Sequence, residues 1–171
     1  PKVIAANIQL HSITYYDDYD FANTGTPTSN YIVETDFASN QPDGRSRGMV
    51  TGIWIKILDE NATYTDPNSE HYYPFQNVAY PNSNADFLLQ TVTFYDKYGR
   101  EIQTQADNHL GGKDRTTYHY NFAGEMLGQI MRHYDDLAVN SPNEVLIDKS
   151  YSYDHMGRPT QIKQQNVLNG I

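Results

Sequence analysis

Thr93-Phe94-Tyr95-Asp96-Lys97-Tyr98-Gly99-Arg100 decides the reading of this chain, because the same eight-residue pattern returns twice. It recurs as Tyr118-His119-Tyr120-Asn121-Phe122-Ala123-Gly124-Glu125 and as Tyr151-Ser152-Tyr153-Asp154-His155-Met156-Gly157-Arg158. Each copy carries an aromatic, an Asp or Asn, two free residues, a glycine and a charged residue. Asp or Asn at the first position of a turn accepts hydrogen bonds from the backbone two residues on, and glycine at the fourth supplies a left-handed conformation. An L side chain in that conformation meets a penalty of about 1–2 kcal/mol. A type I turn followed by a left-handed residue closes a β-hairpin. Asp96 to Gly99 is therefore expected at a hairpin tip, with Tyr95 ending one strand and Arg100 opening the next. The glycines are 25 and 33 residues apart, the longer interval taking up an added loop at 135–144. Self-similarity at this period marks a repeat architecture whose units are supersecondary elements.

Outward from these copies the apolar period is two. In Gly52-Ile53-Trp54-Ile55-Lys56-Ile57-Leu58 three isoleucines alternate onto one face, as in a strand. Stretches rich in β-forming residues occupy 8–16, 89–95, 116–120, 126–134, 145–153 and 160–162. Asn/Asp/Gly/Pro/Ser clusters at 23–29, 39–48, 59–68 and 80–86 punctuate them as loops. No window carries a capped helical stripe. The expected fold is all-β, built of antiparallel hairpins, in a single segment 1–171. It divides into an N-terminal β region with long loops (1–92) and three hairpin repeats (93–166). A fainter copy is expected at Thr14-Tyr15-Tyr16-Asp17-Asp18-Tyr19-Asp20, with Asp20 in the place of the glycine.

The formal charge of −9 argues against a nucleic-acid partner, which needs clustered cations, and against an anionic membrane surface. No apolar run has the length of a membrane span. Fifteen tyrosines argue for a folded chain rather than a disordered one. With no cysteine, disulfides, thiolate metal sites and cysteine nucleophiles are excluded. The opening Pro1-Lys2-Val3, without Met, fits a mature or excised piece.

Tyr95-Asp96-Lys97-Tyr98-Gly99-Arg100 and Tyr153-Asp154-His155-Met156-Gly157-Arg158 resemble the YD repeat of the RHS (rearrangement hotspot) family, in the form found in Bacteroidetes RHS-repeat proteins. Gln103 to Gly112, Tyr118 to Gly124, Arg132-His133, Ile13 to Phe21 and Gly48 to Gly52 fit the same pattern, so the likeness spans roughly residues 8–166. It implies a β-spiral wrapped into a hollow shell in large secreted or surface proteins, which encloses or presents a variable C-terminal effector, often a toxin. An extracytoplasmic location and non-catalytic scaffolding follow from the likeness, with adjacent repeats of the same chain and an enclosed effector as partners. The family's Asp-Pro-x-Gly segment, associated with self-cleavage, is not found; Asp66-Pro67-Asn68-Ser69 lacks the glycine. Autoproteolysis and toxin activity therefore do not carry over. Asn121 and Glu125 depart from the Asp and Arg of the unit.

The residues expected to carry the motif are Tyr95, Asp96, Gly99, Arg100, Tyr120, Asn121, Gly124, Tyr153, Asp154, Gly157 and Arg158. Their roles are structural: the aspartates form turns, and the arginines pair with a carboxylate or lie over a tyrosine ring. A shell role expects Tyr118, Tyr120, Tyr151 and Tyr153 largely buried. Catalytic, cofactor and metal residues are expected to be absent. Asp17, Asp18 and Asp20 lack the alternating ligands, glycine and terminal Glu of a calcium loop, the six histidines lack metal-ligand spacing, and no nucleophile elbow occurs. His133, His155 and Asn108-His109 are expected to pack or hydrogen-bond. A rival reading is a carbohydrate-binding surface, with Tyr72, Tyr73, Phe75 and Tyr80 as a stacking platform in the loops. Open strand edges also make self-association an expectation.

Overall fold

Turn chemistry and period-two patterning together give a sheet that grows in chain order. The computed structural model describes residues 11–23, 31–56, 88–108, 112–134 and 144–169. Within these, β1 (Ser12–Asp17), β2 (Ser46–Lys56), β3 (Leu88–Tyr95), β4 (Glu101–Asp107), β5 (Lys113–Tyr120), β6 (Met126–Tyr134), β7 (Glu144–Tyr153) and β8 (Pro159–Asn169) form one antiparallel sheet. Its order is β1-β2-β3-β4-β5-β6-β7-β8. The only helical pieces among the described residues are two short 3-10 turns, Asp20–Asn23 and Thr35–Phe37. The chain is thus all-β and antiparallel, as its punctuation requires.

Register assigns the two faces. One row of paired residues crosses all eight strands: Tyr15, Gly52, Val92, Gln105, Arg115, Arg132, Leu146 and Val167. A parallel row holds Phe94, Gln103, Thr117, Ile130, Asp148 and Gln165. Paired residues lie on the same face, and on this one Val92, Phe94, Gln103, Thr117 and Ile130 are buried. What buries them is the connection between β1 and β2. Instead of closing a tight turn, the described parts of this connection, 18–23 and 31–45, lie as a strap over the sheet before the chain returns at Ser46. The faint copy at 14–20 is therefore not a hairpin tip: Asp17 takes a positive φ of 76° and directs the chain into the strap.

The strap meets the strands in succession. The Phe21 ring lies on Gly52 of β2, and Tyr19 stacks on Phe94 of β3 with centroids 5.0 Å apart. Tyr31 meets Phe94 edge-on. Ile32 bonds to Gln103 of β4, and Glu34 reaches Arg115 of β5 and Arg132 of β6. Phe37 stacks on His119 of β5 and covers Gly128 of β6. Asp43 then donates its N–H to the Tyr95 carbonyl at 2.8 Å. A cluster of Phe21, Trp54, Val92, Phe94 and Ile102, with Tyr15, Tyr19 and Tyr31 packed against it, forms the apolar core under the first part of the strap. Two glycines are seats for the strap's rings. A methyl group at Gly52 would run into Phe21 Cζ, and one at Gly128 would stand 2.6 Å from Phe37 Cζ.

An irregular strap exposes backbone polar groups to the sheet, and buried ones need partners. Gln103, fully buried, answers this as if it were a rung of a ladder. Its Nε2 donates to the Ile32 carbonyl at 2.7 Å while its Oε1 accepts from the Ile32 N–H at 3.0 Å. Nε2 also donates to Thr117 Oγ1, and Oε1 accepts from Gln105 Nε2, so all four positions of the carboxamide are used. Glu34, 4% exposed, is held by Arg115 at 2.9 Å and Arg132 at 2.9 Å, and Arg132 also pairs with Glu144. Burial disfavours the Arg132 cation, but the bonds from Glu34 and Glu144 outweigh it and raise its pKa. Removing one partner of such a group leaves an uncompensated charge, at a cost of about 3–5 kcal/mol.

The opposite face carries rows such as Ile53, Thr91, Ala106, Asp114, His133 and Val145. Ile55, expected to alternate with Ile53, is 53% exposed there, while Trp54 between them is the buried residue. Tyr118, Tyr120, Tyr151 and Tyr153 are each half-buried rather than largely buried, Tyr120 on the strap side against the core cluster. Burial nevertheless raises the phenol pKa of Tyr118 and Tyr120.

The seats give a direct test. Gly52→Ala is expected to lose about 1–3 kcal/mol by overpacking against Phe21, whereas Gly44→Ala in the strap, with nothing near its added methyl, is near neutral. Chemical denaturation of the two variants against the parent chain checks this.

Candidate functional site

The three hairpin tips line up along one end of the sheet and share one geometry. Gly99, Gly124 and Gly157 take positive φ of 77°, 91° and 75°. In each turn the glycine N–H donates to the carbonyl of the Asx residue at 3.0, 3.1 and 3.0 Å. The Asx N–H in turn donates to the carbonyl of the residue after the glycine, at 2.9 Å in every copy. The Asx side chain closes the loop. Asp96 Oδ1 accepts from the N–H groups of Tyr98 and Arg100, and Oδ2 from Arg100 Nε at 2.7 Å. Asp154 does the same with Met156 and Arg158, its Oδ2 accepting from Arg158 Nε at 2.7 Å.

The middle tip, with Asn and Glu for Asp and Arg, keeps the clamp by reversing its polarity. Asn121 Oδ1 accepts from the Glu125 N–H at 2.9 Å, and Asn121 Nδ2 donates to Glu125 Oε2. The amide supplies both an acceptor and a donor, so the carboxylate takes the place of the guanidinium.

The residue after each glycine lies on the glycine of the next tip. Met49, following Gly48 in β2, places Cε 2.6 Å from where a Cβ of Gly99 would be. Arg100 Nη1 is 4.0 Å from the corresponding point at Gly124 and donates to the Asn121 carbonyl at 3.0 Å. Glu125 Oε1 lies 2.7 Å from it at Gly157. The Arg100 guanidinium also stands 4.9 Å from the ring centroids of both Tyr98 and Tyr120. The tyrosines before Asp96 and Asp154 tie each hairpin backwards: Tyr95 Oη donates to the Val50 carbonyl at 2.7 Å and Tyr153 Oη to the Met126 carbonyl at 2.8 Å. All eleven motif residues thus sit at or beside the tips, in one continuous chain of contacts.

A groove of about 380 Å³ opens between the strap and the first tip, lined by Asn40, Asp43, Asp96, Tyr98, Arg100 and His119 among others. Its chemistry is committed internally. Arg100 covers the tyrosine faces, Asp96 is clamped, and His119 stacks on Phe37 with Nδ1 3.1 Å from Asn40 Oδ1. At the other end of the sheet His133 pairs with Asp114 at 2.6 Å, and Asn108 closes the β4–β5 turn through Gly112 and the Tyr134 carbonyl. His155 is exposed, and His109 lies outside the described residues. Asp17 Oδ1 accepts from the Gly48 N–H and Asp18 Oδ1 from the Asp20 N–H, both as turn formers. Among the described residues no three His, Asp or Glu side chains converge on a metal position, and no helix is long and apolar enough to cross a membrane. Tyr72, Tyr73, Phe75 and Tyr80 lie outside the described residues. Sequence reasoning missed the strap's Glu34 and the Gln103–Arg115–Arg132 patch beneath it. A polar residue in a strand usually signals the solvent side, and only the long β1–β2 connection hints at a cover. No family model, curated protein or solved structure matches the chain.

Two tests follow from the tips. Asn121→Asp alone sets two carboxylates face to face and is expected to destabilise the chain by about 1 kcal/mol or more, with Glu125→Arg in the same chain restoring it; a double-mutant cycle by denaturation measures this. The second concerns acid. Arg45 side-chain and backbone bonds hold Asp43 down to about 2 from its ordinary 3.8. Burial would raise Asp96, but bonds from Arg100 and Tyr98 outweigh it and lower its pKa; bonds from Arg158 and Met156 lower that of Asp154. A folded pKa below the unfolded one gives stability that is present above the unfolded value and lost as the pH falls through the folded one. The denaturation midpoint is expected to fall between about pH 4 and about pH 2, less steeply in an Asp154→Asn variant.

Proposed function

We propose that this chain is a non-catalytic structural repeat segment, a stretch of wall in which each hairpin is the platform for the next. The observation that carries this reading is the relay at the tips, where Met49, Arg100 and Glu125 each lie on the following glycine. Stability in such an array is a sum of units and nearest-neighbour contacts. The resemblance to RHS/YD-repeat proteins gives the wider setting. In that setting the segment belongs to a large secreted or surface protein whose shell encloses or presents a C-terminal effector domain, and its partners are adjacent repeats of the same chain. The groove supports the same reading, because its Arg100 and Asp96 are spent within and between the tips and its His119 on Asn40 of the strap.

Two measurements test it. In double-mutant cycles, Arg100→Ala is expected to couple to Gly124→Ala by at least about 0.5 kcal/mol and to be additive with Gly157→Ala. Equal coupling to both would remove the nearest-neighbour argument. On a glycan array the chain is expected to bind nothing; saturable binding abolished by Tyr72→Ala or Tyr73→Ala would replace the scaffold reading with carbohydrate recognition.

A further inference from the structure

Arg100 and Arg158 occupy equivalent positions and make the same clamp, Nε to the turn aspartate at 2.7 Å in both. Their surroundings differ sharply. The Arg100 side chain is 25% exposed and that of Arg158 is 74% exposed. The difference lies in the next hairpin. Arg100 has one to lie on: the Asn121 carbonyl accepts its Nη1, the Tyr120 ring faces its guanidinium, and Gly124 leaves room beside it. Beyond Arg158, among the described residues, β8 pairs with β7 alone. Its far edge presents main-chain donors and acceptors over a strand of eleven residues.

Among the described residues, that edge lacks the usual devices against pairing. Exposed edges are commonly blunted by charge, proline, brevity or a cover. Here Pro159 stands only at the first position and Lys163 is the single charged side chain of β8. Ile162 and Leu168, an even number of residues apart and so on one face, are 63% and 59% exposed. Such a strand is built to have a neighbour.

We propose that the outer edge of β8, together with Arg158, is a docking surface for one kind of occupant: a further β-hairpin with an Asx-x-x-Gly tip, its first strand antiparallel to β8. The recognition chemistry follows from the tip before it. The main-chain carbonyl of the incoming Asx accepts from the Arg158 guanidinium, an aromatic one residue earlier gives it a π face, and the positive-φ glycine clears the space that a Cβ would occupy. Backbone pairing supplies affinity, as in strand addition, and the glycine supplies selection. The inference rests on the repeat-scaffold reading and deepens it by naming the partner's turn chemistry.

The test uses the intact chain and a backbone-cyclised peptide of the sequence 113–134, whose hairpin is first verified by NMR. Amide hydrogen exchange of β8 is followed against peptide concentration, with three arms: the parent peptide, a peptide carrying Gly124→Val, and the parent peptide on an Arg158→Ala chain. The parent peptide is expected to slow exchange of the outward β8 amides saturably. Arg158→Ala is expected to weaken this by about tenfold, read against that variant's own β8 exchange before peptide is added, and Arg158→Lys to recover part of it. The Gly124→Val peptide is expected to give no protection. Equal protection by the Gly124→Val peptide would overturn the glycine rule while leaving the repeat reading in place. No protection by the verified parent hairpin would overturn both. Protection of β8 that rises with chain concentration alone, and is unaffected by peptide, would make a second copy the occupant and overturn the proposal.

Discussion

A backbone that must turn left-handed at each hairpin tip is the constraint from which most of this structure follows. Because Gly99, Gly124 and Gly157 carry no Cβ, the turn closes with the Asx side chain gripping the residue after the glycine. The absent Cβ also opens a place on the tip's outer side. The preceding unit, a hairpin tip or, for Met49, the start of β2, fills it with the side chain that follows its own glycine: a thioether, a guanidinium or a carboxylate. One conformational requirement thus sets the turn within each unit and the contact between units. Chemistry at the stacking residue is free to vary, and the Asn121–Glu125 pair shows how far: donor and acceptor are exchanged while the geometry stays.

The second organising element answers a different need. A sheet with one uncovered side must bury that side or leave it wet, and here a connection that forms no strand among its described residues covers it. Such a cover brings unpaired amides with it, so the strands beneath are polar where most sheets are apolar. Gln103 meets the strap's backbone as a strand would, and two arginines meet Glu34. Aromatic rings seated on Gly52 and Gly128 fix the strap at both ends of this polar patch.

This division explains what the sequence made legible. Tips were readable because Asx and glycine at fixed spacing have a local conformational meaning that needs no tertiary context. Strands were readable where aromatic and β-branched residues alternate, less so at β4, where Gln103 and Gln105 give an inward-facing polar pattern, and at β8, whose run of glutamines conceals a long strand. The strap was not readable. Phe21, Glu34 and Phe37 acquire their roles only through contacts with residues far along the chain, and Asp17, in a stretch resembling a tip, diverts the chain instead of turning it. Tyr118 and Tyr151 on the open face and Tyr120 against the core are half-buried for the same reason: their degree of cover depends on what lies across the sheet, which period and composition do not encode.

The strap also changes how the array can fold. A meander in which each strand pairs only with its sequence neighbours is close to a one-dimensional chain of units, able to form locally and to fray from either end. Ties such as Glu34 to Arg132, 98 residues apart, and Ile32 to Gln103, 71 apart, run across that order. They join strands from β2 to β6 under one cover, and they add loop-closure entropy to the folding barrier. The last hairpin, β7–β8, is joined to this block through Glu144, the β6–β7 ladder, Tyr153 on the Met126 carbonyl and Glu125 at Gly157. One sheet thus holds a block crossed by long-range ties and a terminal hairpin whose ties, among the described residues, run to its neighbour alone.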